Sequence, residues 1–282
     1  MTSILSPGTY PLAGRNVLRV GFGAMRLHAT PPHFQEARTL LQRAMELGID
    51  HLDTSDYYGP HLVNQAIRHS LHPYPTPLRL ITKLGWRIDK GRFIPAADPE
   101  DLRRGVEDNL RNLGLDTLDG AYLRLDEQTH ARPGSFDAAL EELRKMQESG
   151  LIRHLGISNA SAEQVRHAQR LIKVEMVQNL HHLSALQDDQ LIEELAEQEI
   201  PYIAFFPLHG VPVTMRPQIA TLAQQHSVSP SAAVLALLLR RHPNLLVIPG
   251  TSNPQHLEEN LQALRLLDPP ATQAKSTRAP AP

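Results

Sequence analysis

The feature that most constrains this chain is an alternation of short apolar, β-branched runs with amphipathic stretches, repeated from one end to the other. Residues 16–22 read as a strand. Residues 34–47 then carry apolar side chains at spacings of three and four before Gly48, the pattern of a helix and its stop. The same pairing recurs at 51–53 with a helix from about His61, at 78–84 with 99–113, and at 118–125 with 135–149. It continues at 152–158 with 162–171, 174–179 with 188–198, 201–208 with helical segments through Arg241, and 245–248 with 254–266. Eight strand–helix units predict an α/β fold closed as a single (β/α)8 TIM barrel. Gly48, Gly114 and Gly150 each fall between a helix and a strand, where a left-handed C-cap is needed. The competing architecture is an open doubly wound sheet, whose fingerprint is G-x-G-x-x-G after the first strand. Gly21-Phe-Gly23-Ala-Met25 supplies two of those glycines and reads as a tight exit turn from strand 1.

A barrel of this kind uses about 250 residues, so the 282 present leave short extensions at each end. Residues 9–15, with Ala13-Gly14 at a turn position, predict a hairpin with the next strand that plugs the barrel's bottom. The barrel is expected over about 16–267 in one domain, 1–282, and the aperiodic, Pro-rich residues 268–282 predict a flexible tail. Composition narrows the function. Lys and Arg number 28 against 30 Asp and Glu, a net charge of −2, so no cationic excess exists to neutralise a phosphate backbone and nucleic acid is not an expected partner. The absence of cysteine removes disulfides, thiolate nucleophiles, iron–sulfur clusters and Cys-ligated zinc. The longest apolar runs, such as 232–239, end in charge after about two helical turns, and residues 1–8 lack a basic-then-apolar leader. A cytoplasmic protein with no membrane association is expected, as a monomer or weak homo-oligomer. Fifteen histidines include no H-E-x-x-H, and the adjacent His181 and His182 point apart, so no metal site is expected.

Active-site groups of such a barrel project from the C-terminal ends of its strands. Those ends carry Asp53, Lys83, Arg124, Ser158-Asn159 and Gln178-Asn179 on five successive strands. Asp53 and Lys83 alone would suit a structural ion pair, since burying either charge unpaired costs several kcal/mol. Tyr58, five residues beyond Asp53, adds a chemical role. A phenol titrates near pH 10, too high for efficient acid–base work at neutrality. One cation at about 4 Å in an effective dielectric near 20 is worth roughly 4 kcal/mol, or about three pKa units before desolvation opposes it. Lys83 is expected to bring Tyr58 toward neutrality in this way, with Asp53 holding the ammonium charged and aimed.

With these motifs in hand, the chain resembles the aldo-keto reductase family over nearly its whole length. Asp53-Thr-Ser-Asp-Tyr-Tyr58-Gly59 and Ile81-Thr-Lys83 resemble the segments carrying that family's catalytic Asp, Tyr and Lys. The resemblance implies a (β/α)8-barrel, NAD(P)H-dependent carbonyl reductase. It implies that Gly23, Ala24 and Met25 border the cofactor, that Ser158, Asn159 and Gln178 hold the nicotinamide carboxamide, and that Phe205 stacks on the ring, with Pro207 and Leu208 beside it. It further implies that Gly250, Thr251, Ser252, His256, Glu259 and Asn260 grip the adenosine end.

Two departures matter. Strand 4 ends in Arg124 where the family usually has histidine, and a guanidinium stays charged and offers a planar fork of donors. Arg124 can polarise a carbonyl and suits an oxyanion beside the aldehyde, which makes the chain similar to the bacterial pyridoxal reductase-like branch. The other departure is that Gly250 and His256 stand where many members have cations for the 2′-phosphate. NADPH is expected on the resemblance, and NADH stays open. The expected reaction is hydride transfer to a small-molecule aldehyde such as pyridoxal, with Tyr58 as general acid and Arg124 stabilising the developing charge. Two alternatives remain: a catalytically weak, cofactor-binding redox sensor or regulatory subunit of the same fold, and a Schiff-base enzyme using Lys83.

Overall fold

The computed structural model describes residues 7–125 and 134–267; the expected tail at 268–282 lies outside the described residues. The chain begins with a hairpin of β1 (Thr9–Leu12) and β2 (Arg15–Leu18), paired antiparallel as a separate two-stranded sheet. Residues 16–18, read from sequence as the start of the first barrel strand, belong to this hairpin. The barrel strand itself is β3 (Phe22–Gly23). There follow α1 (Phe34–Glu46), β4 (His51–Asp53), α2 (Leu62–Leu71), β5 (Arg79–Asp89), β6 (Arg92–Ala96), α3 (Pro99–Leu113) and β7 (Leu118–Arg124). The second half comprises α4 (Asp137–Glu148), β8 (Ile152–Ser158), α5 (Ala162–Gln169), β9 (Met176–Leu180), α6 (Asp189–Glu197), β10 (Tyr202–Phe205), α7 (Arg216–His226), α8 (Pro230–Leu239), β11 (Leu245–Val247) and α9 (Pro254–Leu261).

Local chemistry accounts for these elements. In α3, Pro99 occupies the first turn with Glu100 and Asp101, which suit the helix's positive end, and Leu102, Val106 and Leu113 form its buried stripe. Gly114 ends it at φ +68°, and Gly48 and Gly150 adopt the same left-handed conformation, as their positions after helices required.

The strands run parallel in the order β3, β4, β5, β7, β8, β9, β10, β11. A parallel bridge between Val20 and Val247 joins the two ends. Gly21 N–H donates to Val247 O at 2.9 Å, and Val247 N–H to Arg19 O at 2.8 Å. The sheet is therefore closed, and edges vanish. At the rim the two ends come so close that a Cβ on Gly23 would lie 2.7 Å from Ile248 O, and one on Gly250 2.7 Å from Gly23 O. Glycine is required at both places.

Alternation along each strand divides the core in two. Ala121 and Leu123 of β7, Leu155 and Ile157 of β8, and Val177 of β9 pack outward against the helices. Ile81, Tyr122, Met176, Ile203, Leu246 and Ile248 fill the interior, where Leu12, Ala13 and Val17 of the hairpin join them. The hairpin is the expected plug. With the lower interior filled by apolar side chains, the last inward positions of six strands are left for Asp53, Lys83, Arg124, Ser158, Gln178 and Phe205.

One element departs from expectation. The strand expected to end at Leu84 runs on to Asp89 and returns antiparallel as β6. Gly85, at φ +95°, re-aims the chain where a Cβ would come 2.9 Å from Arg124 O. Lys90 and Gly91, both at positive φ, make the two-residue turn.

Candidate active site

Lys83 and Asp53 face each other from adjacent strands, both almost fully buried, and the ammonium donates to a carboxylate oxygen of Asp53. Lys83 Nζ also donates to Thr54 O at 3.0 Å, and the other Asp53 oxygen accepts from Gln178 Nε2 at 2.7 Å. The Lys83 Nζ lies 5.1 Å from the centre of the Tyr58 ring. Sequence had suggested that this lysine lowers the phenol toward neutrality. The structure reverses the direction: burial pushes Tyr58 well above its ordinary value, the Asp53 carboxylate adds to the rise, and Arg124 opposes it. Because Asp53 is bonded directly to Lys83, its negative charge offsets the ammonium's field at the phenol, and desolvation wins. Tyr58 is thus held as the neutral phenol, and its neighbour Tyr57 is likewise raised, to about 12, chiefly by burial.

Behind this pair, on the helix side of the sheet, lies a buried polar network. Thr54 Oγ1 donates to Asn64 Oδ1 at 2.7 Å, Asn64 Nδ2 to Asn109 Oδ1 at 2.9 Å, and Thr82 Oγ1 to the same Asn109 oxygen at 2.5 Å. This chain links the residues next to Asp53 and Lys83 through α2 and α3. A branch holds the Tyr58 loop: Asp56 accepts from Asn64 at 3.2 Å and Asn112 at 2.9 Å, and pairs with His61 Nδ1 at 2.5 Å. Asp56, His61 and Asp108 are close enough to share a metal ion, but Asp56 and His61 are spent on one another and Asp108 on Arg111.

These groups open onto a cavity of about 450 Å³ at the barrel mouth. Of the residues expected from sequence, Gly23, Met25, Asp53, Tyr58, Lys83, Arg124, Gln178, Phe205, Pro207, Leu208 and Gly250 line it. Ala24 does not, because its side chain is buried in the outer core. Ser158 lies fully buried beside Gln178 in the sheet, and Asn159, at φ +57°, donates its N–H to Gln178 O at 3.0 Å. Thr251, Ser252, His256, Glu259 and Asn260 are outside the cavity wall, around the start of α9. There Thr251 Oγ1 accepts from Asn253 N–H at 2.9 Å and meets His256 Nδ1 at 3.0 Å, and Asn253 caps the helix.

Sequence reasoning missed Arg26, Trp86, Phe93, Phe206 and His209, all of which line the cavity. The signal for two of them was present: Lys90-Gly91 between alternating apolar residues marks a two-residue hairpin. Arg124 points into the cavity with its Cζ 5.1 Å from the Phe205 ring centre, its backbone oxygen accepting from Trp86 Nε1 at 3.1 Å. Among the described residues it has no carboxylate partner.

The site fits a nicotinamide. Among the described residues, Ser158 Oγ and Gln178 Oε1 are buried polar atoms with no hydrogen-bond partner, a hydroxyl and an acceptor suited to the two ends of a carboxamide.

A closed parallel barrel with an Asp–Lys–Tyr cluster at its mouth defines a class, and residues 19–276 match the Aldo/keto reductase family; the chain belongs to that family of oxidoreductases. Pyridoxine 4-dehydrogenase of Escherichia coli (strain K12) is 41% identical to it over 270 residues, covering 93% of this chain and 94% of that protein. An oxidoreductase of Schizosaccharomyces pombe is 32% identical over 263 residues, 91% of this chain and 84% of that one. In fold, the crystal structure of an aldo-keto reductase from Klebsiella pneumoniae in complex with NADPH matches with a TM-score of 0.79 at 21% identity, covering 91% of this chain and 89% of that one.

Proposed function

We propose that this protein reduces an aldehyde with an anionic oxygen beside it, pyridoxal being the type, using NADPH as hydride donor. The observation that carries the reading is the convergence on one cavity of a neutral, partly buried Tyr58, the Asp53–Lys83 pair and an Arg124 that among the described residues has no carboxylate partner. NADPH supplies the hydride when bound, and Ser158 and Gln178 hold its carboxamide. Arg26, beside Gly250, offers the rim a cation for a phosphate, which supports NADPH over NADH despite Gly250 and His256.

The chain's own part is electrostatic and protonic. Arg124 presents a fork of donors that can bridge a carbonyl oxygen and a neighbouring phenolate, and it favours charge developing on the former. Tyr58 gives its phenolic proton to that oxygen as the alkoxide forms. Lys83 and Arg124 then stabilise the transient tyrosinate until solvent returns the proton. The name of the Escherichia coli relative, at 41% identity, supports a pyridoxine–pyridoxal pair as substrate and product.

The test is steady-state NADPH oxidation with pyridoxal. Tyr58→Phe should lose about 10²-fold or more in kcat while binding NADPH as the wild type does, and Arg124→Leu should lose more kcat/KM on pyridoxal than on benzaldehyde. Turnover by Tyr58→Phe at the wild-type rate would overturn the role of Tyr58. Tight NADPH binding by the wild type with no turnover of any aldehyde would favour the regulatory alternative.

A further inference from the structure

The β5–β6 hairpin rises from the strand that carries Lys83, and its two faces differ in kind. Its register pairs Trp86 with Pro95 and Ile88 with Phe93, and the intervening pairs are Arg87 with Ile94 and Asp89 with Arg92. Directly opposed residues in an antiparallel pair share a face. One face is therefore apolar and aromatic, and the other carries the charges. Trp86 and Phe93 of the apolar face both line the cavity.

This face is anchored at its base and open further out. The Trp86 indole N–H donates to Arg124 O, which ties the hairpin to the strand end bearing the guanidinium. Phe93 meets Tyr57 edge-on with ring centres 5.8 Å apart, and Tyr57 meets Tyr58 in the same way at 5.3 Å. A run of aromatic rings thus leads from the hairpin to the phenol. Phe93 remains 58% exposed, so most of a large apolar side chain at the lip of the cavity is unspent.

We propose that Phe93 is a specificity-determining residue, and that the hairpin's apolar face covers the ring of a flat aromatic or heteroaromatic aldehyde whose anionic oxygen lies on Arg124. This rests on the substrate class proposed above and adds the element that selects it. Aliphatic aldehydes lack a face for Phe93 and gain nothing from it. The hairpin acts on binding of the aldehyde and leaves the hydride and proton steps to the residues at the barrel mouth.

The experiment compares pyridoxal with butanal at saturating NADPH for wild type, Phe93→Ala, Phe93→Leu and Phe93→Tyr. Phe93 is exposed, so folding is not at risk, and NADPH affinity can be followed through Trp86, the sole tryptophan. The alanine and leucine variants should raise KM for pyridoxal about tenfold, as expected of a lost aromatic contact. Their kcat, their KM for butanal and their NADPH affinity should stay within about twofold of wild type, and Phe93→Tyr should restore KM for pyridoxal. A wild-type preference for pyridoxal that survives intact in Phe93→Ala would overturn this proposal and leave the substrate reading standing. A wild type that handles pyridoxal and butanal equally would overturn the substrate reading itself, and this proposal with it.

Discussion

Burial and the Asp53 carboxylate together hold the Tyr58 proton, against the pull of Arg124, and with Tyr58 as the proposed acid this predicts the pH behaviour of the reaction. A phenol whose pKa lies above its ordinary value of about 10 is protonated throughout the neutral range. Aldehyde reduction, which consumes that proton, should vary less than about twofold in kcat between pH 6 and 9, falling only at more alkaline pH. Alcohol oxidation needs the tyrosinate and should rise with pH over the same span. Stopped-flow or steady-state profiles in both directions check this. A reduction rate that falls across pH 7 would mean a proton donor other than Tyr58. At this scale the residue types were readable from sequence, since Asp53, Tyr58, Lys83 and Arg124 all reach one cavity. The direction of the Tyr58 shift was not, because it depends on how much water the folded chain removes and on the bond between Asp53 and Lys83.

Strands and helices meet at the Thr54–Asn64–Asn109–Thr82 network, which fixes β4 against β5 at the level of the Asp53–Lys83 pair. Asn109 is its centre. Its oxygen accepts from Asn64 and Thr82, and its amide donates to Gly105 O at 2.8 Å. Asn109→Leu would leave buried donors on both partners unsatisfied, at a cost of about 2–3 kcal/mol. It should also lower kcat about tenfold with little change in NADPH affinity, as the Asp53–Lys83 pair, catalytic on the proposed mechanism, loses its alignment. Urea denaturation and initial rates on the same variant separate the two effects. Loss of stability with unchanged kcat would reduce the network to a structural role. The sequence displayed helical periodicity in α2 and α3, but not that two asparagines from these helices and two threonines, one of β5 and one just past β4, would meet. The β5–β6 hairpin was hidden for a related reason: the strand read as ending at Leu84, and the positive φ of Gly85 instead carries it on past Arg124.

Closure of the barrel draws on the buried side chain of Arg19, which among the described residues has no carboxylate partner. It donates to Leu245 O at 2.9 Å, Leu239 O at 2.6 Å, His242 O at 2.5 Å and Pro7 O at 3.0 Å. Desolvation lowers its pKa to about 10, so it remains a cation at neutrality. The guanidinium gathers the end of α8, the start of β11 and the run-in to the hairpin plug beside the Val20–Val247 bridge. Arg19→Met would leave those carbonyls unsatisfied and should cost about 3 kcal/mol of stability, read as an earlier urea midpoint. An unchanged midpoint would mean that main-chain pairing alone closes the barrel. Among the described residues no helix is long and apolar enough to cross a membrane.

Eight alternations of period-2 and period-3.6 patterning, the glycines between them and the polar residues ending successive strands were all local properties of the chain. They fixed the architecture and the chemical types at the barrel mouth, because side-chain periodicity and strand direction leave few other arrangements. Other features arise between residues far apart in sequence. The closing bridge joins Val20 to Val247, the Tyr58 environment joins Asp53 to Arg124, and the aromatic lip joins Phe93 to Tyr57. Burial, close approach and field strength exist only once those residues share a space, and it is there that the Tyr58 phenol is held neutral and the cavity gains its aromatic lip.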